Sequence, residues 1–181
     1  MINFLDIIKE TPIKKIKKGE ILLRNGDLSD SFFHVEKGCL RSYIIDNKGK
    51  EYVFQFAPEN WIISDHESLK DSKAFAILNI DAIEDSEIKI LKKPADSVIK
   101  MDMESLNEMN QKLLRRMFTL QNRIIHLLSA TAEERYLDFI KTYPSIVQRV
   151  PQKMIASYLG ITPEGLSRVR KELVRKNKII S

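Results

Sequence analysis

The 181-residue chain has one cysteine, Cys39, and three histidines, His34, His66 and His126. One thiol excludes an internal disulfide framework, and a four-cysteine zinc finger or iron–sulfur cluster within one chain. The scattered histidines lack the spacing of metal ligands. No metal, no cofactor and no metalloenzyme on a cupin-like barrel is therefore expected, and a haem sensor has no support. No stretch approaches the 18 apolar residues of a membrane span, and the N-terminus lacks a signal peptide's apolar run. The expected compartment is a reducing cytoplasm, without a membrane partner. Arginine is missing from residue 42 to 114, and glycine and proline are missing from 105 to 128.

What is present is ordinary in total and uneven in distribution. The chain is 43% hydrophobic and 30% charged, with a net charge of +5. From residue 149 onward, eight lysines and arginines face only Glu164 and Glu172, a surplus of six. The rest of the chain is close to neutral. Such asymmetry suits a module that faces phosphates.

That basic segment has the pattern of two short helices and a tight turn. Pro151 suits a first helical turn, Ile155, Ala156 and Leu159 form one apolar stripe, and Gly160 suits a left-handed C-cap. Thr162 then offers an N-cap oxygen before Pro163. Leu166, Val169 and Leu173 face the first helix, which leaves Glu164, Ser167, Arg168 and Lys171 on the far side. In a helix-turn-helix the start of the second helix meets base edges. There a carboxylate can accept from cytosine N4 and an arginine can bind guanine O6 and N7 together. The competing reading is a helical hairpin with a solvated basic face.

Upstream, from Ile16 to Leu91, short apolar runs alternate with turns such as Asn25-Gly26-Asp27, Lys37-Gly38 and Asp46–Lys50. Strands are expected at Ile21–Leu23, Ser31–Val35, Leu40–Ile45, Glu51–Phe56, Ala74–Ile83 and Glu87–Leu91, which favours an antiparallel barrel or sandwich. Between Ser105 and Leu128, residues Leu106, Met109, Leu113, Met117, Leu120, Ile124 and Leu127 step by three or four. This predicts one long amphipathic helix. Its stripe could pack on the β domain, but its length suits a coiled-coil seam between two subunits. Thr131-Ala132-Glu133-Glu134 fits a capping box for a further helix ending before Pro144. The expected fold is α+β: a β-barrel (double-stranded β-helix or jelly roll) over 1–100, a dimerisation helix over 101–129 and a helix-turn-helix domain over 130–181.

In this order the elements resemble the Crp/Fnr family of bacterial transcription regulators. The resemblance rests on Lys18-Gly19-Glu20-Ile21-Leu22 with Asn25-Gly26-Asp27, on Phe33-His34-Val35-Glu36-Lys37-Gly38 and on Gly49-Lys50-Glu51. It implies base reading by Glu164 and Arg168. It also implies backbone contacts from Thr162 and Ser167, with Arg170 and Lys171 nearer the phosphates. The implied partners are duplex DNA and a second copy of the chain, with RNA polymerase and a small-molecule effector as further candidates.

Two departures qualify this. Cyclic-nucleotide-binding members grip the ribose and cyclic phosphate with a Gly-Glu pair and a later arginine. Here Ser64 and Asp65 stand in place of the pair. The arginine position falls near Ala74-Phe75-Ala76, where Lys73 is a poor substitute for a bidentate fork. Cyclic AMP is therefore not expected to bind by the usual contacts. The pocket, with Trp61, Ser64, Asp65 and Phe75 as candidates, is either empty or adapted to another ligand; Phe54, Phe56, Trp61 and Phe75 also read as plain core. Second, the β-wing that follows the recognition helix in the family is expected to be absent or truncated, since Lys176–Ser181 has room for one strand start. The expected function is a homodimeric, sequence-specific DNA-binding regulator and not an enzyme. The alternative is a small-molecule-sensing domain that acts through protein partners.

Overall fold

The computed structural model describes residues 4–65, 74–92 and 103–176. His66, Lys73, Pro94 and, of the stretch assigned to the missing wing, residues 177–181 lie outside these residues. The chain forms two compact units, Met1–Asn110 and Gln111–Ser181.

The first unit starts with helix α1 (Phe4–Glu10), followed by eight strands: β1 (Ile13–Ile16), β2 (Ile21–Leu23), β3 (Ser31–Lys37), β4 (Leu40–Ile45), β5 (Glu51–Ala57), β6 (Ile62–Ile63), β7 (Asn79–Ala82) and β8 (Ser86–Lys92). They pair antiparallel in two four-stranded sheets, ordered β1-β8-β3-β6 and β2-β7-β4-β5. This interleaving is that of a jelly roll, as expected, built as two sheets rather than one closed barrel. Between them Phe33, Val35, Leu40, Ile63, Ile80 and Ile88 form a core from which water is excluded. Gly38 makes the β3–β4 turn possible. Its φ is +94°, and a Cβ there would come within 2.9 Å of the Ser86 backbone.

Three elements were not legible in the sequence: α1, β1 and the two-residue β6. β1 has two lysines between two isoleucines and buries only Ile16, so it shows little alternation. The strand expected over Ala74–Ile83 is shorter, because the N–H groups of Ile77 and Leu78 donate to the Asp65 carboxylate and not to a neighbouring strand. Upstream of them Phe75 makes only an isolated bridge to Leu28.

The second sheet carries a buried ion pair on the face turned from the core. Arg41 Nε and Nη2 donate to the two Asp81 oxygens at 2.8 and 2.9 Å, and Nη1 donates to Glu51 at 2.7 Å. Burial by itself would lower the guanidinium pKa, but the two carboxylates outweigh it and raise the value above its usual range. Removing one partner from a buried pair strands the other charge. Asp81→Ala is expected to cost about 3 kcal/mol. Glu51→Ala, at a half-exposed carboxylate, should cost less than about 1 kcal/mol. Urea unfolding followed by fluorescence of Trp61, the single tryptophan, checks both.

The second unit takes in most of helix α2 (Met103–Ser129), and α3 (Ala132–Thr142), α4 (Gln152–Leu159) and α5 (Pro163–Arg175). The boundary between the units thus falls inside the long helix. Thr131 caps α3 in the expected capping box, with Glu134 returning to the Thr131 backbone at 2.8 Å. Phe139, Tyr143 and Tyr158 pack as an aromatic triangle with centroids 5.3–5.8 Å apart.

Candidate nucleic-acid interface

α4 and α5 form the predicted helix-turn-helix. Pro151 is the N-cap of α4 rather than its first helical residue. Gly160 ends α4 in the left-handed conformation at φ +67°, and its N–H returns to Ala156 and Ser157. Leu127 Cδ2 lies 3.2 Å from where a Cβ would stand, so both conformation and space favour glycine. Thr162 caps α5 by accepting from Gly165 N–H at 3.1 Å, with Pro163 at the helix start. The cap uses a lone pair of the hydroxyl and leaves its proton available to an external acceptor.

Burial divides α5 into two faces. Leu166, Val169 and Leu173 are buried, while Glu164, Arg168, Arg170 and Lys171 are exposed and Ser167 is half-buried. Glu164, Arg168 and Lys171 lie on one outward stripe at helical spacing. Among the described residues Glu164, Arg168 and Lys171 make no ion pair, so they are not committed elsewhere in the chain. Two residues belong beside them that sequence reasoning did not single out. Arg175 continues the same stripe, eleven residues after Glu164, a signal that was readable. Gln152, at the start of α4, lines a shallow groove with Ser167, Arg170, Lys171, Val174 and Arg175. This needs the fold to be seen.

The rest of the unit fixes the reader in place. Two arginines grip the carbonyl end of α4, where the helix dipole is negative. Arg123 of α2 donates through Nη2 to Tyr158 O at 2.9 Å and stacks on the Tyr158 ring at 4.2 Å. Arg135 of α3 donates to Leu159 O at 2.7 Å. Burial lowers the Arg123 pKa, and burial likewise raises that of Tyr158. The face of α2 that packs inside the unit is therefore polar, carrying Arg116, Thr119, Arg123 and His126. Most of its apolar stripe points out: Leu106, Leu113, Met117 and Ile124 are exposed, whereas Leu120 is half-buried and Leu127, though exposed, reaches back to Gly160. The side chain of Met109 lies outside the described set.

The residues expected to line an effector pocket are placed differently from one another. Asp65 is wholly buried, and its Oδ2 accepts from Ile77 and Leu78 N–H at 2.9 and 2.8 Å. Ser64 Oγ donates to Ser31 O at 2.9 Å. Trp61 packs partly buried on the core. Phe56 is wholly buried, on the sheet face it shares with its ladder partner Arg41, whereas Phe75 is 67% exposed. Arg24 and Arg41 are the arginines of the described β unit. Arg24 is exposed in a turn, and all three donor positions of Arg41 that bond here go to Asp81 and Glu51. These residues do not fit a cyclic phosphate. Among the described residues no group of His, Cys, Asp and Glu could hold a metal ion, and no helix is long and apolar enough to cross a membrane.

Residues 13–97 match the cyclic nucleotide-binding domain family. Transcriptional regulatory protein btr of Bordetella pertussis is 23% identical over 190 residues, covering 96% of this chain and 76% of that protein. Transcriptional activator protein FnrA of Stutzerimonas stutzeri is 26% identical, covering 91% and 70%. Among solved structures, FixK2 from Bradyrhizobium japonicum shares the fold with a TM-score of 0.74 at 18% identity, over 92% of this chain and 86% of that one. A CRP/FNR-family transcriptional regulator from Thermus thermophilus does so with 0.69 at 19% identity, over 94% and 89%.

Proposed function

Because the chain belongs to the Crp/Fnr family of transcription regulators, we propose that it binds duplex DNA sequence-specifically as a homodimer and so controls transcription in the cytoplasm. The observation that carries this reading is the outward stripe of α5. Glu164 and Arg168, one turn apart and uncommitted, reach base edges; Thr162, Ser167, Arg170, Lys171 and Arg175 meet the backbone. The dimer reading is supported by α2, a helix about 40 Å long that packs a mainly polar face within the chain and leaves most of its apolar stripe exposed. Two copies joined along that stripe place two recognition helices on one side of the duplex, about 34 Å apart. The protein is a regulator and not an enzyme, and RNA polymerase is the further partner that activation would require. Its signal is a small molecule other than cyclic AMP held by the usual contacts.

Anisotropy titrations of cognate and scrambled duplexes over a range of salt test this reading. Wild type should prefer the cognate duplex by about a thousandfold or more. Lys171→Ala and Arg175→Ala should each weaken both duplexes alike and lower the salt slope by about one. Equal binding of cognate and scrambled DNA by wild type would remove the sequence-specific reading.

A further inference from the structure

We infer that Arg123 is a positioning residue for DNA recognition: it ties the direction of α2 to the start of the recognition helix, and so sets the half-site spacing that a dimer accepts. The inference rests on the dimer reading above. Arg123 Nε and Nη2 both donate to Tyr158 O, at 3.3 and 2.9 Å, and the guanidinium lies over the Tyr158 ring, 4.2 Å from its centroid. One side chain thus holds the backbone and the ring of the same residue. A planar fork can do both; the point charge of a lysine cannot. Tyr158 also packs against Phe139 and Tyr143, at centroid distances of 5.5 and 5.8 Å.

The place of this contact gives it leverage. Tyr158 lies in the last turn of α4, just before Gly160 and the Thr162 cap that starts α5. Leu127, one turn beyond Arg123 on α2, lies beside the same Gly160. Arg123 is also next in sequence to Ile124 of the exposed apolar stripe. A residue bordering the proposed seam therefore grips the turn from which the reader begins. The other half-buried residues of α2 in this unit are Arg116, Thr119, Leu120 and His126. Apolar packing between α2 and the reader is thus slight, and directional hydrogen bonds fix the angle instead. Without the fork, the two readers of a dimer would sample a larger volume. The second half-site would then be met at a lower effective concentration.

The test compares the full chain as wild type, Arg123→Ala and Arg123→Lys by anisotropy. Three duplexes are made from the inverted repeat that selection enriches: the repeat, the repeat with two base pairs inserted between its half-sites, and one half-site alone. The insertion turns one half-site by about 70° around the axis. Wild type should prefer the native spacing by about a hundredfold. Arg123→Ala should still sediment as a dimer and bind the single half-site as wild type does, but prefer the native spacing by about tenfold or less. Arg123→Lys, which restores the charge and not the fork, should fall between the two. A merely structural role would weaken the half-site too. Equal weakening of half-site and repeat by Arg123→Ala therefore overturns the inference, as does wild-type spacing preference in that variant. Should the alanine variant unfold, wild-type spacing preference in a folded Arg123→Lys overturns it likewise. Each of these leaves the dimer reading standing. A wild type that binds the repeat no better than the half-site removes the dimer reading, and the inference with it.

Discussion

Leu113→Lys combined with Ile124→Lys should convert the protein into a folded monomer whose affinity for a two-fold operator falls by roughly a hundredfold to ten-thousandfold. Both side chains are more than half exposed in the single chain, at 51% and 58%. Placing a charge there costs the subunit little, because no buried contact is lost. At a helix seam the same lysines would be buried without partners, which an apolar interface does not tolerate. Sedimentation velocity reads the change of mass, and circular dichroism shows that α2 is retained. The loss of affinity follows from geometry: a second half-site bound through the same dimer acts at high effective concentration, and a monomer forfeits it. A double variant that still sediments as a dimer would place the seam elsewhere.

Arg168→Ala should cost about 1–3 kcal/mol on the cognate duplex and almost nothing on a scrambled one. Arg168 is exposed on α5 and makes no ion pair among the described residues, so its removal leaves the subunit's stability unchanged. The energy is that of a bidentate contact to guanine, and the preference for that one base pair should disappear with it. The contrast with Lys171→Ala separates the two kinds of contact. A phosphate contact weakens every sequence by the same factor and changes the salt slope, whereas a base contact changes the ranking of sequences. Competition titrations with single-base operator variants measure that ranking. Uniform weakening by Arg168→Ala would assign Arg168 to the backbone.

The reader helices were the most legible part of the chain because each feature has a local cause. Gly160 at positive φ, Thr162 as a cap and Leu166, Val169 and Leu173 on one face are all set by residues within a turn or two. The long helix was legible for the same reason, as its stripe repeats without a glycine or proline. The β unit was legible only where turns mark it. β1 carries two lysines and β6 has two residues, so periodicity had nothing to act on. The interior was least legible. Asp65 stood out by its place in a family pattern, yet its carboxylate is spent on two backbone N–H groups. Gln55 lay unnoticed in an ordinary strand, because only the pairing of β4 with β5 shows that it faces inward beside Ser42. Arg41 likewise reads as a surface residue until Asp81, forty residues away, is seen opposite it.

Selection of bound duplexes from a random pool, with the full chain, tests the central reading most directly. A homodimer reading through Glu164 and Arg168 should enrich an inverted repeat whose half-sites are centred about one helical turn apart, with a guanine in each that Arg168→Ala no longer enriches. Enrichment of no sequence, or of a single unrepeated site, would contradict it.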